Sequence, residues 1–204
     1  METYGGVNGD VSVYFRGLNQ SDLQVQAQMT DFLDRIVAID HIELKPFCWL
    51  KDFQSLMESP KNFTATLMTD PTVAQVLELN PDVVAFLESD AFLSTIDNMS
   101  FDQVLNLVMS QPMLNRLYSA NIRRNASGEI EVSRCSVLIR NLDYNSVNDQ
   151  ITLLRAQNDV TASHPLNEDT EEYNCFLYKD LFHLWEVSQQ DGVSFVNPIF
   201  MPKI

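Results

Sequence analysis

Residues 69–90 place a polar residue before a proline at Asp70-Pro71 and again at Asn80-Pro81. This rhythm constrains the fold more than any other feature of the chain. Extended in both directions it marks Pro60, Pro71, Pro81, Ala91, Phe101 and Pro112, preceded by Ser59, Asp70, Asn80, Asp90, Ser100 and Gln111. Serine, aspartate and asparagine cap helix N-termini by accepting hydrogen bonds from the free N–H groups of the first turn. Proline is harmless at the first helical position, because its missing N–H would be unpaired there and its φ is already helical. Each beat therefore starts a new short helix. Apolar residues follow at helical spacing: Val73, Val76 and Leu77; Val83, Phe86 and Leu87; Leu93 and Ile96; Leu114, Leu117 and Tyr118. Helices this short are marginal alone, so 59–122 is expected to be an amphipathic array held by tertiary packing.

The flanks read differently. Residues 11–15, VSVYF, are β-branched and aromatic between Gly9 and Gly17, which predicts a strand. Ser21 with Gln24 suggests a capping box for a helix over 22–39, and Phe47, Leu50, Phe53 and Met57 suggest a second helix. Gly128 fits a turn before a strand over 129–140, residues 141–149 are turn-rich, and 150–157 fit helix or strand. Residues 158–172 read as a polar loop. Beyond it, Leu177, Leu181 and Leu184 form one stripe of a buried helix. The expectation is one α+β domain over 1–204, predominantly helical. Its central array of short helices has short flanking β elements, with a mixed β/α part over 128–204.

Charge and composition exclude several function classes. With 28 acidic against 13 basic residues the net charge is −15, a field that repels phosphate backbones and anionic membranes. No direct nucleic-acid binding and no membrane insertion are expected, since no apolar run approaches the ~20 residues of a membrane span. The first residues lack a basic region followed by an apolar run, so an intracellular, cytoplasmic or particle-assembled location is expected. Cys48, Cys135 and Cys175 are odd in number and far apart, and they read as buried reduced thiols. Sequons occur at Asn62, Asn98 and Asn125.

No string for phosphate cradling, zinc hydrolysis or a nucleophile elbow occurs. His41, His164 and His183 lie too far apart for a metal motif. Cys175 with His183 is the best nucleophile–base pair by residue type. Eight residues along one helix is about 12 Å of rise, however, too far for proton transfer. Neither a cofactor, a metal nor a catalytic residue is expected.

Residues 57–122, including MESPKNFTATLMTDPTVAQVLELNPDVVAFLES and MSQPMLNRLYSANI, resemble the short-helix arrays of ubiquilins and Hop-like co-chaperones. Those arrays also run between Asn-Pro and Asp-Pro steps and are rich in methionine, as here at Met57, Met68, Met99, Met109 and Met113. The resemblance implies a groove for apolar client segments, with Met68, Val76, Leu77, Phe86, Leu87, Met109 and Met113 as candidate groove residues. The same side chains could instead face the chain's own core. In the tail VSFVNPIFMPKI, Phe195, Ile199 and Phe200 are too apolar for a solvated end and are further candidates for contact.

The expected role is non-enzymatic: a protein–protein interaction or structural subunit of a larger assembly, a viral particle included. The expected partners are other proteins offering basic or apolar segments, in homo- or hetero-oligomers. An adaptor for apolar clients is the alternative reading, and an unrecognised enzyme the second.

Overall fold

Residues 130–139 form the strand around which everything else is arranged. The computed structural model describes residues 9–45, 48–143, 146–168 and 170–178. The helix stripe expected at Leu181 and Leu184 and the tail residues Phe195, Ile199 and Phe200 lie outside them. The first strand, β1 (Gly9–Arg16), buries Val11, Val13 and Phe15 and turns Ser12, Tyr14 and Arg16 the other way, the period-2 pattern of a half-buried strand. It pairs antiparallel with residues 132–139 of the strand over Ile130–Ile139, from Gly9 opposite Ile139 to Arg16 opposite Val132.

In chain order, β1 is followed by α1 (Leu23–Val37), β2 (Ile42–Leu44) and α2 (Trp49–Glu58). A 3₁₀ turn over Pro60–Asn62 leads into α3 (Phe63–Leu67), α4 (Pro71–Glu78), α5 (Pro81–Leu87), α6 (Asp90–Ile96), α7 (Phe101–Ser110) and α8 (Pro112–Tyr118). The chain then returns through β3 (Ile122–Arg124), β4 (Ile130–Ile139), α9 (Val147–Ser163) and β5 (Cys175–Tyr178). It is an α+β protein, predominantly helical. The sheet order is β2-β4-β1-β5, with β3 sharing the outer edge of β4 beside β2, and every pair is antiparallel. Without β3, the path β1-α1-β2-β4-α9-β5 in this order is a split βαβ, or ferredoxin-like, arrangement. Among the described residues, those between β2 and β4 form an insertion of seven α-helices, α2–α8, one 3₁₀ turn and one strand.

One hydrophobic core runs through both parts. Met29, Phe32, Leu33 and Ile36 of α1 and Leu153 and Leu154 of α9 are buried with the inner face of the sheet. Helix α2 buries Trp49, Leu50, Phe53 and Leu56. The Phe53 ring joins α2 to α7 and α8, with centroids 6.4 Å from Trp49, 5.9 Å from Phe101 and 5.3 Å from Tyr118. Arg123 lies opposite Val132 but Arg124 lies opposite Ile130, so Glu131 is the extra residue of a β-bulge. That shift lets Ile130 be buried along with Ser133, Cys135, Val137 and Ile139.

The proline beats do start helices, with two refinements. Asp70 accepts from the Val73 N–H at 3.2 Å, and Ser100 forms a full capping box with Gln103. Asn80 and Gln111 make no side-chain cap, and Asn80 Nδ2 donates to the Val76 carbonyl instead. At the Asp90 beat the cap is Ser89, whose Oγ accepts from the Phe92 N–H. Likewise α1 is capped by Asp22 rather than Ser21, because Asp22 Oδ1 accepts from Gln24 and Val25 N–H groups. Ser89→Ala should lower stability by about 1 kcal/mol in urea titration, and Asp90→Ala only by the few tenths of a first-turn charge. Equal losses would return the cap to Asp90.

The structure corrects three other expectations. Residues 175–178 are strand, not helix: Phe15 to Ser12 pair with Cys175 to Tyr178. Asn167 holds the start of that strand, donating to the Thr161 and Cys175 carbonyls and accepting from the Asn174 and Cys175 N–H groups. Residues 158–163 continue α9 instead of forming a loop. Cys48 and Cys135 are not reduced thiols but a disulfide, joining the N-cap of α2 to the middle of β4 across 87 residues of sequence. Cys175 is a buried free thiol.

Candidate functional site

From residue 62 to residue 115 the chain has no lysine, arginine or histidine. Asp70, Glu78, Asp82, Glu88, Asp90, Asp97 and Asp102 all fall in this stretch, and all but Asp70 are exposed. From α3 to the first turn of α8 the array is thus a layer of short helices whose outer charges are all negative, with Arg116 near the end of α8 as the first base. Two large apolar side chains stand out of it. Leu79, just past the end of α4, is 76 % exposed, and Met68, at the C-cap of α3, is 40 % exposed. Leu79 projects because Val73 and Leu77, one turn apart, take the buried side of α4, and two residues further on the chain has turned to the opposite side.

The structure divides the candidate groove residues. Leu77 and Leu87 are in the chain's own core, at 0 % and 1 % exposure, and cannot meet a partner. Phe86 and Met109 are partly buried and pack against that core, Phe86 with its ring centroid 4.9 Å from that of Phe92. Val76 and Met113 are partly exposed, and Met68 is exposed. Leu79 was missed by periodicity, since it lies off every buried stripe. The unbroken run without a base is the sequence signal that marks its surroundings.

A second constellation has the residue types of a nucleophilic site. Cys175 Sγ lies 3.9 Å from His164 Nδ1, and His164 Nε2 lies 3.2 Å from Asp31 Oδ2. The Leu166 N–H also donates to Nδ1, so Nδ1 is an acceptor and the proton of the neutral ring sits on Nε2, directed at Asp31. Burial pushes the Cys175 thiol up to about 12 and lowers the His164 pKa, so neither thiolate nor imidazolium is favoured. Cys175 and His164 are 0 % and 1 % exposed, and the His164 ring packs edge-on to Phe32. This arrangement anchors β5 and α9 on α1. It has none of the electropositive, accessible surroundings that activate a cysteine.

Clefts are small. One of about 180 Å³ opens where β2 and β3 part along β4, lined by Lys45, Asp70, Asn121, Arg134, Ser136 and their neighbours. It falls below the roughly 300–1,000 Å³ of small-molecule sites. Another of about 330 Å³ lies between residues 17–21 and the β3–β4 turn. Its acids are engaged, Glu131 with Arg123 and Glu129 with Asn125. Comparison with protein-family models, curated proteins and solved structures finds no match to this chain. Among the described residues no group of three His, Cys, Asp or Glu is placed to hold a metal ion. Nor is any helix among them long and apolar enough to cross a membrane.

Proposed function

We propose that the chain acts by protein–protein contact rather than catalysis, as an interaction or structural subunit. The α3–α8 array is its contact surface, and the partner offers an apolar segment flanked by basic residues. One observation carries this reading: Leu79, 76 % exposed, stands in a stretch of 54 positions (62–115) that contains acids and no base. An exposed apolar anchor gives a partner area to bury, and the surrounding acids select the charge of what approaches. Met68 and the half-exposed Val76 and Met113 add flexible or branched apolar contacts, and methionine adapts to varied partners. The co-chaperone arrays that residues 57–122 resemble take apolar segments in a comparable way.

The test is fluorescence anisotropy with two labelled peptides that share an apolar core, one flanked by lysines and the other by glutamates. The lysine-flanked peptide should bind more tightly, weaken with added salt, and lose about tenfold affinity with Leu79→Ser, equivalent to about 1.4 kcal/mol. Equal binding of both peptides, or of wild type and variant, would refute the assignment. Light scattering of the isolated chain then separates a free monomeric adaptor from a self-assembling subunit.

A further inference from the structure

Three asparagines stand two residues before a hydroxyl residue with no intervening proline: Asn62-Phe63-Thr64, Asn98-Met99-Ser100 and Asn125-Ala126-Ser127. All three side chains are exposed. All three lie in connections rather than inside α-helices or strands. Asn62 ends the 3₁₀ turn before α3, Asn98 sits in the turn between α6 and α7, and Asn125 opens the turn from β3 to β4. Such triplets are common by chance and are inert in a reducing compartment. The second, independent observation is the disulfide between Cys48 and Cys135, whose residues are 1 % and 2 % exposed. Structural disulfides form and persist in oxidising compartments, the secretory lumen and beyond, and these are the compartments in which Asn-X-Ser/Thr is glycosylated.

The local chemistry accommodates the modification. Asn98 makes no hydrogen bond among the described residues. Asn125 uses one amide hydrogen on Glu129 Oε2, while its Oδ1 accepts from the Ser127 and Glu129 N–H groups. Asn62 uses one amide hydrogen on Ser59 Oγ. A glycosylated amide keeps one N–H and its carbonyl oxygen, so these turns keep their bonds with a sugar attached.

We propose that this chain is N-glycosylated at Asn98 and Asn125, and at Asn62, in a compartment that oxidises Cys48 and Cys135. In the transfer, Nδ2 bonds to the anomeric carbon of a lipid-diphosphate-linked oligosaccharide. The bond from that carbon to the diphosphate oxygen breaks, the lipid diphosphate leaves, and the displaced amide proton passes to a base. This replaces the intracellular setting expected from the sequence. It is independent of the contact surface at Leu79, which the peptide assay probes on unglycosylated protein.

The test is peptide mapping of the full protein from its own cells, digested without reduction and treated with peptide N-glycosidase in heavy-oxygen water. Asn98 and Asn125 should be recovered as heavy-labelled aspartate, with the Cys48 and Cys135 peptides joined until reductant is added. Recovery of all three asparagines as unmodified asparagine would overturn the proposal. In the same cells Asn98→Gln and Ser127→Ala should each remove one glycan-sized step of gel mobility. Ser127→Ala leaves the Asn125 turn bonds in place, so its lost step would not reflect misfolding. Unchanged mobility in both variants would equally overturn the proposal.

Discussion

Breaking the Cys48–Cys135 bridge should lower folding stability by about 4–5 kcal/mol, the loop-closure entropy expected for a cross-link of this span. The bridge joins residues 87 apart in sequence, so in the unfolded chain it closes a long loop and removes many conformations. It also ties the start of α2, with its buried Trp49 and Leu50, to the central strand, so its loss frees the insertion from the sheet first. For a domain with about 5–15 kcal/mol of total stability, the loss is roughly a quarter or more of the whole. Urea denaturation of the oxidised protein and of a Cys48→Ala/Cys135→Ala variant measures it. Coincident midpoints would show that the bridge adds nothing to what packing already holds.

Stability should also fall steeply as pH rises from about 4 to about 8, and Asp52 is the reason. Its carboxyl is 2 % exposed in α2 beneath the array. Burial raises its pKa from 3.8 to about 8; the Tyr118 hydroxyl, 3.4 Å away, opposes the shift and the charge of Asp70 adds to it. A pKa raised in the folded state means that the folded chain holds the proton more tightly. The contribution is therefore complete below about pH 4 and declines by roughly 1.4 kcal/mol per pH unit through the window, levelling off above about 8. The total is on the order of 5 kcal/mol. Asp52→Asn, which cannot ionise, should match wild type near pH 4 and exceed it increasingly towards pH 8. Parallel pH profiles for the two proteins would remove Asp52 as the cause.

Much of this architecture is legible in local chemistry. The beats at Pro71, Pro81 and Pro112 open helices because proline's φ and missing N–H suit only a first helical position. VSVYF and the alternation from Glu129 give strands because their side chains fit a half-buried pleat. What stays hidden depends on distant partners. Leu177 opens a spacing with Leu181 and Leu184 that suits a helix, yet pairing with β1 and the Asn167 clamp make residues 175–178 a strand. Ile42–Leu44 and Ile122–Arg124 are too short to show a period and exist because β4 offers them an edge. Spacing says nothing about Cys48 meeting Cys135; Asp52 does fall on the stripe of Trp49, Phe53 and Leu56, but its residue type argues for solvent rather than burial. The candidate surface divides similarly: its lack of bases is plain in the sequence, while the exposure of Leu79 depends on which side of α4 the core claims.

The insertion between β2 and β4 is attached in an unusual geometry. The Lys45 N–H reaches the Ser136 carbonyl, the Cys48 sulfur joins Cys135, and the Arg134 N–H reaches the Asn121 carbonyl. These attachments fall on three consecutive residues of one strand and the β3 ladder continues them along it, so they lie nearly on a line. Points on a line resist translation in every direction, but they offer little resistance to rotation about that line. What opposes such rotation is the packing of Trp49, Leu50, Phe53 and Leu56 of α2 in the shared core, together with bonds off that line: Gln54 with Thr30, Lys51 with Asp34, and Ser21 with Asp102. Those off-axis contacts, rather than the line of attachments on β4, therefore decide how firmly the helical layer is held against a swing about that strand.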